Sequence, residues 1–289
     1  MILLTGSSGY VATHLTPLLG KDDYIGVDLV KSTKTDIVMD IANYLPTFNF
    51  DVIVNLAAAR FDYGVSANKY FDQNVNAHIS FLNNLIDNLP RLIIHVSSVA
   101  SFDGKGIEFS SSLGCDDAYR STKYIQEEVY QKWCNEHNVD LVVLYPSAIY
   151  DDTIRYDTNI GRIQRLAKIL PFMPKIDVKK SLTYMPKFND LIVRAISGEV
   201  AAGGYLTLDE PVKTVTETSL GMMNNNTKAY KIPMLKPFMW LFSSVIEFLS
   251  FVFRFKPFVT RNRIDKLFSD TSYDWIESID RTSYLGRKK

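Results

Sequence analysis

With 289 residues, 46% hydrophobic and 22% charged, the chain has enough apolar content to bury one large core or a core plus a smaller lobe, which excludes a disordered or disulfide-stapled peptide. Thirty-two Lys and Arg balance thirty-two Asp and Glu, so no basic field gathers nucleic acid and no such partner is expected. The two cysteines, Cys115 and Cys134, fit no metal spacing, so no metal is expected and reduced thiols in a cytoplasmic protein are the default.

The first predicted strand, 1–5, begins apolar at Ile2-Leu3-Leu4 with no basic n-region, so no signal peptide is expected. Thr5-Gly6-Ser7-Ser8-Gly9-Tyr10-Val11-Ala12 follows at once and opens a helix predicted over 10–19. Gly6 permits a tight turn, Gly9 lets backbone N–H groups approach a pyrophosphate, and Ala12 suits close helix–strand packing. Taken alone, the spacing serves equally as a plain glycine turn. The second strand, 24–27, ends at Asp28, about 20 residues beyond the loop, where an acid takes both hydroxyls of an adenosine ribose. A carboxylate there repels a 2′-phosphate and favours NAD over NADP. An Asp that merely closes a turn is the plainer reading.

Strands at 51–55, 92–97 and 141–145 alternate with helical patterns at 67–88 and 117–138. This alternation, with near-continuous apolar strands, predicts a doubly wound parallel α/β sheet of the Rossmann type over residues 1–150. Ser97-Ser98 ends the fourth strand, on the edge where open α/β sheets bind ligands. Tyr119 and Lys123 stand at i, i+4 on one helix face, where an ammonium lowers a phenol's pKa and makes a usable acid/base. Chance alone supplies roughly one such Tyr-x-x-x-Lys, and Tyr284–Lys288 is a second match that reads as an exposed tail. After Tyr150 the pattern loosens. Residues 151–289 read as a smaller substrate lobe interleaved with the sheet, with strand-like pieces at 181–184 and 204–208.

Gly6-x-x-Gly9-x-x-Ala12, Asp28, Asp40-Ile41, Asn55-Leu56-Ala57-Ala58, Asn74-Val75-Asn76, Ser97 through Phe102, Tyr119-x-x-x-Lys123 and Tyr145-Pro146-Ser147 occur in order. Jointly they resemble the extended short-chain dehydrogenase/reductase family, the group of UDP-galactose 4-epimerase and nucleotide-sugar dehydratases. The likeness covers 1–150 well and continues more weakly through Asn189-Asp190-Leu191 and 203–211. It implies an NAD-dependent enzyme with Tyr119 as catalytic acid/base, Lys123 on the nicotinamide ribose, and Ser98 orienting the reacting oxygen. It further implies Gly6, Ser8, Gly9, Tyr10 and Val11 on the pyrophosphate, Asp28 on the ribose, and Asp40 and Ile41 beside the adenine. Leu56, Ala57 and Ala58 would line the cofactor, Arg60 would reach its phosphates, Gln73 or Asn74 would face it, and Pro146 would abut the nicotinamide. Ser98, Ser147 and Asn159 are expected on the substrate.

Departures from the family pattern are Asn55 for a common His, Tyr145 for a common Arg, and Asp103 and Asp151 for glycines. Family dehydratases carry an acidic pair after the active-site Ser or Thr. Here Val99 and Ala100 follow Ser98, which disfavours 4,6-dehydration. Hydride transfer remains, as a nucleotide-sugar 4-epimerase or 4-ketoreductase on a UDP- or dTDP-sugar, or as an oxidoreductase of a steroid-like or lipid hydroxyl. Asp28 tilts toward the epimerase.

Phe238–Phe255 is strongly apolar between Pro237 and Pro257, with Ser243, Glu247, Ser250 and Arg254 at helical spacing. It reads as a core or substrate-lid helix, an in-plane amphipathic anchor giving peripheral membrane contact, or a membrane span. A wide apolar face also suits a homodimer interface or a lipid-linked substrate. His14, His78, His95 and His137 have no metal-ligand spacing and read as structural.

Overall fold

The computed structural model describes residues 1–60, 65–151, 172–209, 212–217, 230–233, 235–255, 257 and 259–272. Arg60 is thus the last described residue before a gap, and Asn159 and the 284–288 match lie outside the described residues. Strands β1 (Ile2–Thr5), β2 (Tyr24–Asp28), β3 (Ile37–Val38), β4 (Val52–Asn55), β5 (Leu92–Val96) and β6 (Asp140–Pro146) join a seventh, Gly203–Thr207. The order runs from the Gly203–Thr207 strand through β6, β5, β4, β1 and β2 to β3, every pairing parallel. The doubly wound sheet predicted from the alternation is therefore present, and its order reverses between β1 and β4. That reversal is a topological switch point, which opens a crevice at the carboxyl ends of both strands.

Successive side chains of each strand point to opposite faces, and both faces are apolar. Leu4, Val54, Ile94 and Leu144 pack beneath helices α1 (Tyr10–Leu15) and the later Met185–Ile196, through Leu15, Phe188 and Ile192. Leu3, Ile53 and Ile93 pack on the other face against α3 and α5, chiefly through Phe81, Leu82, Tyr130 and Trp133. Here α2 is Ala67–Phe71, α3 Ala77–Asn83, α4 Ala100–Gly104 and α5 Cys115–His137.

Two predicted helices differ in detail. The 10–19 pattern is α-helical only to Leu15 and finishes as a 3₁₀ turn, Thr16–Leu18. Pro17 cannot donate to the preceding turn and so ends the α ladder. The 67–88 pattern is broken by a π turn at Asp72–Asn76, which carries the buried Asn74.

The chain divides into two compact units. The first holds Met1–Ile149 with Thr183–Leu208, so the edge strand and the Met185–Ile196 helix from the loosely patterned region complete the sheet. The second holds Tyr150–Leu182 and Asp209–Tyr273. It contains short ladders (Tyr230–Pro233 with Phe172–Lys175, and Lys213–Thr214 with Lys179–Lys180) and two helices, Lys236–Phe253 and Arg261–Phe268. Helix α6 is Met185–Ile196, α7 Lys236–Phe253 and α8 Arg261–Phe268.

Two histidines are sealed in the first unit. His95 on β5 accepts from Asn55 Nδ2 at 2.9 Å and stacks on Tyr130 at 4.3 Å between ring centroids. Nδ1 of His78 lies 2.8 Å from the Tyr130 hydroxyl. Burial, with the Lys123 charge nearby, depresses His78 to about 3 and carries His95 well below its ordinary value. An unfolded His binds its proton near 6.5, so between that pH and about 3 the unfolded chain holds more protons and stability falls with falling pH. Taking the chain from pH 7 to 4.5 is expected to cost of the order of 2 kcal/mol through His78 alone. Urea midpoints across that range should fall less steeply in His78→Gln; an unchanged slope would rule out this origin.

Candidate active site

The loop after β1 turns at Gly6, whose φ is +72°. A Cβ there would stand 2.7 Å from the Ala57 nitrogen and 2.8 Å from the Leu56 carbonyl carbon, so only glycine fits. The loop thus rests on the backbone leaving β4, across the switch point. Gly6 N donates to Val27 O at 2.9 Å and Gly9 N to Gly6 O at 3.0 Å. Gly9 is the N-cap of α1 and has no side chain to satisfy the first-turn N–H groups. Those donors, with the positive end of the helix dipole, are what a pyrophosphate takes at a helix start.

Asp28 closes the loop from the end of β2. Its Oδ2 accepts from Ser8 N and its Oδ1 from Val30 N, each at 2.9 Å. The turn-closing reading therefore holds. A carboxylate has about four acceptor positions, so two remain for ribose hydroxyls. Asp40 caps the turn Ile41–Asn43 by accepting from Ala42 N at 3.0 Å, and Ile41 is buried.

Asn74 is fully buried and committed to the protein. Its Oδ1 accepts from Ala59 N at 2.6 Å, and its Nδ2 donates to Ala59 O at 3.1 Å and Thr122 Oγ1 at 3.3 Å. It clamps the segment after β4 to α5, the helix carrying Tyr119. Gln73 Oε1 is buried with no hydrogen-bond partner among the described residues, an acceptor left over for a ligand donor. Arg60 is exposed.

Ser98 follows β5, and its Oγ accepts from Ala100 N at 3.2 Å. The hydroxyl proton is thereby left for another acceptor. Val99 N donates to Pro146 O at 3.1 Å, which fixes the loop to the end of β6. Ser147 N donates to Thr183 Oγ1 at 2.9 Å, so Ser147 lies beside the same strand ends. Helix α4 then meets α5 at Gly104, where a Cβ would fall 2.1 Å from the Arg120 carbonyl oxygen. That close approach sets the Ser98 loop against the turn carrying Tyr119, which is partly buried with its ring edge-on to Tyr70 at 6.1 Å.

Lys123 is 1% exposed, and its ammonium donates to Val96 O at 3.1 Å and Gln126 Oε1 at 2.6 Å. It ties α5 to the strand end from which Ser98 departs. Burial pushes it down to about 7, against the opposing pull of Glu127. Glu127 accepts from the Tyr145 hydroxyl at 2.6 Å and from Ser97 Oγ at 3.2 Å. Burial raises its carboxyl, while those two donors and Lys123 oppose the rise.

Gln126 and Glu127 went unread in the sequence, as did the hydrogen bonds of Ser97 and Tyr145 and the pairing of Asn55 with Thr5 and His95. The available signal was spacing: Glu127 continues the i, i+4 row of Tyr119 and Lys123 on the buried face of α5. Tyr145 and Asn55, two of the four departures from the family pattern, are both buried hydrogen-bonding groups.

A glycine cradle at a switch point, an acid at the end of β2, and Ser, Tyr and Lys on neighbouring elements define a Rossmann enzyme of the short-chain dehydrogenase/reductase type. Residues 2–167 match the NAD dependent epimerase/dehydratase family. The UDP-glucose 4-epimerase of Vibrio cholerae is 26% identical over 229 residues, 70% of this chain and 68% of that one. UDP-glucuronic acid 4-epimerase from Bacillus cereus, solved with NAD, is 16% identical, with a TM-score of 0.61 over 93% of this chain and 99% of that one. UDP-N-acetylglucosamine 4-epimerase from Methanobrevibacter ruminantium M1 is 14% identical, with a TM-score of 0.63 over 81% and 85%. The chain belongs to the NAD-dependent epimerase/dehydratase family and is an NAD-dependent enzyme.

Proposed function

We propose that the protein is a nucleotide-sugar 4-epimerase, oxidising the C4 hydroxyl of a UDP- or dTDP-sugar and reducing the keto carbon from the opposite face. Net 4-ketoreduction is the second half of that sequence run alone, with NADH as the hydride donor. The observation that carries the reading is the set Ser98, Tyr119 and Lys123 on adjoining elements of one unit, followed by Val99 and Ala100 where a dehydratase needs acids. NAD, when bound, takes up and returns the hydride at its nicotinamide ring.

The chain's own groups do the rest. The Gly6–Gly9 loop and α1 hold the pyrophosphate, and Asp28 takes the adenosine ribose. Tyr119 removes the C4 hydroxyl proton during oxidation and gives it back during reduction. Ser98, its proton left uncommitted by the Ala100 N–H, donates to the reacting oxygen. Lys123, one helical turn on from Tyr119, ties α5 to the end of β5 through Val96 O and so sets where Tyr119 stands. Both cysteines are free and Cys134 is buried, in keeping with a reducing cytoplasm.

Purified protein with NAD and a panel of UDP-hexoses, UDP-N-acetylhexosamines and UDP-uronic acids is expected to convert one of them to its C4 epimer, identified by NMR of the product. A 4-keto-6-deoxy product would overturn the reading. So would turnover confined to 3β-hydroxysterols, assayed alongside that panel, which would favour the hydroxysteroid alternative.

A further inference from the structure

Helix α7 is turned inside out relative to a core helix. Of its eighteen residues the buried ones are Ser243 and Ser250, while Phe238 is 70% exposed and Phe248 66%. Of the polar row predicted from the sequence, Ser243, Glu247 and Ser250 face the protein, whereas Arg254 ends the helix as an exposed C-cap. Glu247 accepts from Arg261 N at 3.0 Å and from Arg261 Nε at 2.6 Å, holding the row along α8. The Arg261 guanidinium also lies 5.4 Å from the Trp240 ring centroid. The opposite face is a continuous apolar stripe.

The stretch of sequence that carries this helix is unevenly charged. The sequence from Lys228 to Lys266 holds eight Lys and Arg and two acids, although the whole chain balances at zero. Both acids are engaged within this unit, Glu247 by Arg261 and Asp265 by Lys236 at 2.8 Å. An apolar helix in a stretch of net positive charge is complementary to an anionic lipid surface. It is ill suited to a second copy, because a two-fold interface would bring two such positive stretches together. Among the described residues α7 is the one helix long and apolar enough to cross a membrane. A span would instead carry Glu247 and its Arg261 partner into hydrocarbon.

We propose that α7 docks this chain on an anionic bilayer, lying in the plane with Phe238, Leu241, Phe242, Val245, Phe248 and Val252 in the headgroup boundary. The test floats the full-length protein, loaded with NAD, on phosphatidylcholine vesicles with and without phosphatidylglycerol. Roughly tenfold more protein is expected with the anionic vesicles, weakening as salt rises. Phe242→Glu with Phe248→Glu should abolish flotation while the far-UV circular dichroism and thermal transition persist. The salt titration of the unaltered protein decides the matter by itself should that variant not fold. Absence of flotation on either vesicle would overturn the proposal, as would attachment to cell membranes that survives alkaline carbonate, the mark of a span. A lipid-free dimer split by the same double substitution, with no vesicle binding, would assign the face to a second copy instead.

Discussion

Tyr119→Phe is expected to lower kcat roughly 100- to 10,000-fold while leaving NAD affinity within a few-fold of the unaltered protein. The substitution keeps the ring, and with it the edge-on contact to Tyr70 and the packing of α5 on α2. It removes only the hydroxyl proposed to exchange a proton with the substrate. Loss in kcat with little change in NAD binding separates that role from a structural one, since a disturbed α5 would also release Lys123 from Val96 and Gln126. The checks are product formation from the active nucleotide sugar and calorimetric titration with NAD. Full activity in the Tyr119→Phe enzyme would sink the assignment of Tyr119.

Gly6→Ala carries the second large effect, through backbone rather than chemistry. A methyl group at residue 6 meets the Ala57 nitrogen at 2.7 Å and must hold φ at +72°. The left-handed conformation costs about 1–2 kcal/mol and the overlap about 1–3 more, because the opposing atoms are strand-end backbone that moves only if β1 or β4 moves. The expected result is NAD affinity reduced at least about 100-fold, with a melting temperature lower by roughly 5–10 °C. Thermal scans with and without NAD measure both quantities. A Gly6→Ala variant that keeps its NAD-induced stabilisation would show that the loop does not bear the cofactor.

These two substitutions mark different degrees of legibility. Gly6 was readable because a left-handed turn after a buried strand admits one residue type, and that restriction is written in the letter itself. Tyr119 and Lys123 were readable as a pair because helical spacing puts i and i+4 on one face. What that face meets was not readable. Lys123 donates to a strand carbonyl and a glutamine, and Glu127 one turn further on gathers Ser97 and Tyr145 from other elements. No local pattern encodes contacts between residues tens of positions apart. Asn74 shows the same limit: named with Gln73 as an alternative for facing the cofactor, it makes its hydrogen bonds to Ala59 and Thr122, 15 and 48 residues away.

The doubly wound sheet, the glycine loop and the acid at Asp28 were determined by sequence alone, since near-continuous apolar runs, helix starts and required φ values are properties of neighbouring residues. The apolar segment at 238–255 was legible as a helix with a polar row, and three surroundings suited it. Only the tertiary structure decided that Ser243, Glu247 and Ser250 turn inward to α8 and that the phenylalanines turn outward. Periodicity fixes which residues share a face, whereas the partner each face receives depends on where the rest of the chain has packed.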